Sequence, residues 1–123
     1  MKNNMETKTF IAEEPISAHR FVKFGTGNTV VTATSSTDTV IGVSDDVGIT
    51  AAGNVVDVHL CDCQKVQCGG TIKAGDLLTT SDDGRAVKVT AGDNVVGVAL
   101  DDATEDEHVY FAFRHYTTTA TEG

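Results

Sequence analysis

One strand plan is written twice along this chain, and that constrains its fold more than any other feature. Residues 16–60 and 72–113 both run through an I-x-A entry, a short strand, a polar hairpin, a second strand, a polar link, a V/I-G-V strand, an acidic turn and a closing strand. In the first copy the segments are ISAHRFVKF, GTGN, TVVTAT, SSTD, TVIGVSDD and GNVVDVHL. In the second they are IKAGDLLTT, SDDG, RAVKVT, AGDN, VVGVALDD and EHVYFAFR. Ile16 stands where Ile72 stands, and Gly42 where Gly97 stands.

Period-two alternation makes the segments strands. Val56, Val58 and Leu60 fall on one face with Asp57 and His59 on the other, and Val109, Phe111 and Phe113 oppose His108, Tyr110 and Arg114. No window sustains apolar residues at helical spacing, and Gly occurs 12 times, mostly as punctuation. The expectation is an all-β fold: a small pseudo-symmetric β-barrel or sandwich of about eight strands, built from two similar repeats. Gly42 and Gly97 lie inside strands, where glycine marks a bend, a bulge or a close backbone approach, and bends that help close a barrel are the simplest reading.

The remaining segments divide around the repeats. Residues 1–15 are expected to form an extended N-terminal arm, residues 16–116 the β domain, residues 61–71 a linker within it and residues 117–123 a flexible tail. Phe10 and Ile11 precede Pro15, which favours extended backbone before it, so the arm carries two apolar anchors. Such an arm packs on its own domain or adds to a partner's sheet edge.

Charge removes whole classes of partner. The chain of 123 residues carries 9 Lys and Arg against 18 Asp and Glu, a formal net charge of -9, which repels phosphate backbones and anionic lipid. Neither nucleic acid nor a membrane is expected as a partner. No apolar run approaches a membrane span, and MKNNMETKTF has no apolar signal core, so a product made and kept in the cytosol is expected.

Three groups of residues invite a chemical reading. The stretch SDDGRAVKV brings Asp82, Asp83 and Gly84 together but has no closing Glu for a calcium loop, whereas D-G between strands is a strong hairpin signal. Asp83 and Gly84 are therefore expected to define a turn. The pairs Asp45–Asp46 and Asp101–Asp102 could in principle share a proton, yet strand neighbours point to opposite faces and no D-T-G or D-S-G motif is present. His59, Cys61, Cys63 and Cys68 have ligand chemistry suited to zinc. Strand geometry separates His59 from Cys63 by roughly 13 Å, too far for one tetrahedral ion without a bend, so reduced thiols in a connecting segment are preferred. His19, His108 and His115 are scattered and are expected at the surface or an edge. No enzyme activity and no cofactor is expected.

With these elements in place, residues 69–113 resemble the capsid cement, or head decoration, proteins of tailed bacteriophages. The resemblance rests on Ile72, Ala74, Gly75, Asp76 and Leu77, then on Asp83 to Ala86, then on Gly97 to Leu100. It is weaker from Phe10 to Leu60, and the linker cysteines are not part of the pattern. The resemblance implies a virion structural protein, made in the host bacterial cytoplasm, that binds the outer surface of the mature capsid, commonly as a homotrimer, and stabilises it by bridging capsomers. Its partner would be the major capsid protein. The arm, with Lys8, Thr9, Phe10, Ile11, Glu13 and Glu14, is the expected capsid contact. One rival reading is a virion-displayed module that recognises carbohydrate or a host surface, although aromatics are only 6% of the chain and Trp is absent, which weakens sugar stacking. Another is a carboxylate-dependent hydrolase using the paired aspartates.

Overall fold

A computed structural model describes residues 7–45, 50–60 and 63–119, with side chains described except at 63, 64 and 114–119. The described chain is all-β. Its ten strands are β1 (Thr7–Ala12), β2 (Phe21–Phe24), β3 (Thr29–Thr32), β4 (Gly42–Ser44), β5 (Val55–His59), β6 (Cys63–Gln67), β7 (Leu77–Thr80), β8 (Ala86–Lys88), β9 (Asn94–Ala99) and β10 (His108–Thr119). The first five close into a barrel in the order β1-β3-β2-β4-β5, and the others form a sheet in the order β6-β10-β9-β7-β8. A parallel bridge between Cys68 and Ala86 brings the end of β6 beside the start of β8, as β1 runs parallel to β3 in the barrel.

Each sheet begins one strand earlier than the repeats read from the sequence, which is why ten strands replace about eight. Residues 7–12, expected in an arm, form β1 and pair with β5 from Thr7 to Ile11. Residues 63–67, expected in a linker, form β6 and pair with β10. The physical reason is burial. Ala12 closes the barrel interior, and Val66 and Cys68 face the core of the second sheet at one period-two spacing. Strand β10 runs on through residues 117–119, which the sequence assigned to the tail, and its pairing with β9 shifts register between Phe113 and Thr118.

Two cores follow from alternation on β2 and β4. Val22 turns into the barrel with Ala12, Ile16, Val30, Val56 and Val58, while its neighbour Phe21 turns outward. There Phe21, Ala33 and Val43 enter the core of the second sheet beside Leu78, Val109 and Phe111. Phe21 and Phe111 meet edge to face with ring centroids 5.5 Å apart. The barrel thus uses both sides of two strands, which ties the halves into one unit.

The V/I-G-V glycines act through close approach. A Cβ on Gly42 would lie 2.2 Å from the His59 carbonyl oxygen, and one on Gly97 would lie 2.4 Å from that of Ala112. Both obstacles are backbone atoms of the neighbouring strand, so the bend expected at these positions is better described as strand contact that leaves no room for a side chain. Gly42→Ala and Gly97→Ala should each destabilise the fold by about 1–3 kcal/mol, the usual range for overpacking a core, read as a lower midpoint in urea unfolding.

Acidic residues staple the turns. Asp38 accepts from the amides of Thr34 and Ser35, both at 2.9 Å, and pairs with Lys23 at 2.9 Å. Asp76 accepts from the Lys73 amide, Asp93 from that of Thr90 and Glu107 from that of Thr104, each closing a turn over three residues. In the D-G hairpin Asp83 accepts from the Ser81 hydroxyl and the Arg85 guanidinium, and Gly84 adopts φ 81°. Burial raises the Asp83 pKa, but hydrogen bonds from Ser81 and Arg85 with the charges of Arg85 and Arg20 outweigh it, leaving the carboxyl below its ordinary value. A depressed carboxylate stabilises the fold above its unfolded pKa of 3.8 and loses that contribution as pH falls through the folded value. Asp83→Asn should therefore lower the thermal midpoint at neutral pH, and the gap from the parent should narrow as the pH falls below 3.8. A gap independent of pH would contradict the assignment.

Candidate functional site

An exposed apolar feature lies on the barrel along β1. Ile11 is 51% exposed, Phe24 52% and Val55 64%, unusually high for large apolar side chains gathered together. With Lys8, Phe10 and Asn28 they line an open groove of about 480 Å³. Phe10 leans on the barrel core and meets Phe24 edge to face at 5.8 Å, and the Lys8 ammonium sits 5.6 Å from the Phe10 ring centre. The barrel register makes the groove, since Ile11 pairs with Val55 on β5 and with Thr29 on β3.

The residues expected in the arm separate into two roles here. Lys8, Thr9, Phe10 and Ile11 line the groove. Thr9 also donates to Asp57 at 2.6 Å, which fixes its side chain on the β5 ladder. Glu13 serves the neighbouring hairpin. Its Oε1 accepts from the Thr26 amide and the Thr29 hydroxyl, both at 2.6 Å, and these bonds, led by Thr29, hold its carboxyl below the usual value. That hairpin presents Phe24 and Asn28, so Glu13 positions one wall of the groove. Glu14 is exposed next to it. Phe24 and Val55 belong to the same surface but were not legible as such, because each lies at the end of its own alternating strand and only the fold brings them to Phe10.

The other candidates are dispersed. Asp45 follows β4 in the barrel, Asp46 lies outside the described residues, and Asp101 and Asp102 follow β9 in the second sheet. Asp102 accepts from the Ala74 amide at 2.8 Å, a turn contact. Cys61 lies outside the described residues, as does the side chain of Cys63. His59 meets the Thr7 hydroxyl through Nδ1 at 3.1 Å, while Cys68 is fully buried in the core of the second sheet. Among the described residues no group of three or more His, Cys, Asp and Glu side chains could hold a metal ion. His19 and His108 stack edge to face at 4.8 Å between the halves; burial, then the charges of Lys65 and Arg20, push the His108 imidazole below its ordinary pKa. The side chain of His115 lies outside the described residues.

Burial, reinforced by Asp101 and Glu107, pushes the Cys68 thiol up to about 11. Such a thiol carries almost no thiolate at neutral pH, so maleimide should leave Cys68 unmodified in the folded protein and label it after denaturation, as peptide mapping would read. Rapid labelling in the folded state would contradict this placement.

Fold and groove together define a small all-β protein with an exposed apolar groove on its barrel. The chain belongs to the phage cement protein family, which it matches over residues 2–114. It is a virion structural protein associated with the capsid. Among solved structures, the head fiber gp8.5 N base of bacteriophage phi29 shares the fold with a TM-score of 0.70 and 24% identity, over 93% of this chain and 98% of that one. No curated protein matches the sequence.

Proposed function

We propose that the protein binds the outer surface of the expanded capsid through the β1 groove and stabilises the shell by bridging neighbouring capsomers as a homotrimer, without catalysis. The observation that carries the contact is the cluster of exposed Ile11, Phe24 and Val55 beside the half-buried Phe10 on an otherwise acidic molecule. Apolar side chains held in the open by a closed barrel gain from burial against a partner, at roughly 25 cal/mol per Å² before the costs of association. The phi29 protein's description as the base of a head fiber supports attachment to a phage head. A ligand that binds only the expanded lattice stabilises it by mass action, so turnover is unnecessary.

Mixing the protein with expanded, undecorated capsids should add regular density to the lattice in electron micrographs. Ile11→Glu should weaken binding about tenfold or more, the loss of one central apolar contact, while leaving the thermal midpoint nearly unchanged because Ile11 is half exposed. Equal decoration by the parent and Ile11→Glu would reject the groove as the contact.

A further inference from the structure

The barrel closes unevenly along β1. This strand pairs with β5 from Thr7 to Ile11 but with β3 only at Ile11 and Ala12. Along Thr7–Phe10 its second edge therefore has no strand partner among the described residues. The register says which backbone groups point there. The Ala12 amide donates to the Asn54 carbonyl across the ladder, and hydrogen-bonding residues alternate along an antiparallel strand. Lys8 and Phe10 accordingly turn their amides and carbonyls toward β5, and Thr7 and Thr9 turn theirs toward the open edge. A row of unpaired backbone groups is a template for another strand.

The apolar groove runs along this same edge. One wall is β1 and the other is the β2–β3 hairpin, which contributes Phe24 and Asn28. Charge also distinguishes it. Lys8 is the one charged residue in the lining, and it makes no ion pair with any described residue, although the whole chain carries a net charge of -9.

We propose that the groove takes an extended, acidic segment of the capsid protein, which adds as a strand to the open edge of β1. Its backbone hydrogen-bonds to Thr7 and Thr9, an apolar side chain rests on Phe10 and Phe24, and a carboxylate meets Lys8. Backbone pairing supplies the attachment, and the side chains at alternate positions supply the selectivity. This inference rests on the capsid-contact reading and specifies the chemistry by which contact is made.

Amide hydrogen exchange over Thr7–Ala12 tests it, measured for the free protein and for the protein on expanded, undecorated capsids. Strand addition should slow the Thr9 amide by about tenfold or more on the capsid. Binding with unchanged exchange at Thr9 would overturn strand addition and leave the capsid contact standing, whereas failure to bind would overturn both. Slowing that appears when the free protein is concentrated without capsids would place a second copy on the edge and overturn the proposal. Thr9→Pro removes the outward amide and Thr9→Ala keeps it, while both lose the Asp57 contact. With both variants folded by circular dichroism, Thr9→Pro should bind at least about tenfold more weakly than Thr9→Ala, and equal binding by the two would sink the idea. Lys8→Glu should weaken binding further at low salt than at high salt, and salt-independent binding by this variant would reject the acidic partner.

Discussion

Everything in this molecule hangs on Phe21 reaching across the boundary between its two sheets. Its ring is fully buried against Phe111, its amide donates to the Gly84 carbonyl at 2.7 Å, and its carbonyl accepts from Ala33 at 2.9 Å. Full burial of a side chain this size is worth about 1.5–3 kcal/mol, and the edge-to-face pair adds about 0.5–1.5 kcal/mol. The D-G hairpin can sit on this strand only because residue 84 is glycine. A Cβ there would lie 2.6 Å from Thr32 Cγ2 and 3.0 Å from the Phe21 carbonyl. Arg20 clamps the same joint, donating to the Asp83 carbonyl at 3.1 Å and to Gln67 at 2.8 Å.

Strand β2 carries that rigidity to the groove. Phe21 at its start is locked in the shared core, and Phe24 at its end stands exposed in the groove. Lys23 between them is tied to Asp38, and Glu13 holds the turn that follows. Little side-chain or loop freedom is left to lose when a partner arrives, and a preorganised surface binds more tightly for the same buried area. The groove is therefore a product of the core, because its aromatic wall is the far end of the strand that joins the halves.

The all-β class and the D-G hairpin were legible because period-two burial and turn chemistry are local. Val56 and Val58 turn inward and Asp57 outward, as their alternation requires. The first strand of each sheet was hidden for a physical reason. In β1 the outward residues Thr7 and Thr9 and the exposed Lys8 mask a strand whose only fully buried side chain is Ala12. In β6 Lys65 and Gln67 flank the buried Val66. Both strands are defined by partners far along the chain, β5 for one and β10 for the other, and no local pattern announces such pairings. The apolar anchors Phe10 and Ile11 were readable as a pair, but the groove they help to form needed Phe24 and Val55 from two other strands.

Acidity and the groove are two sides of one division of labour. Most of the hydrogen-bonded carboxylates fasten turns, where backbone amides donate to them at short range. The same excess of negative charge spread over the remaining surface opposes unspecific association, which matters for a protein that also exposes Ile11, Phe24 and Val55. Mutual repulsion cannot protect the groove against a partner that brings its own complement, because no carboxylate lines it. An apolar groove with a single cation disfavours contact between two such grooves, which would bring two lysines together, more strongly than it disfavours a segment that carries a carboxylate. Selectivity of this kind follows from charge placement alone and requires no change of shape on binding.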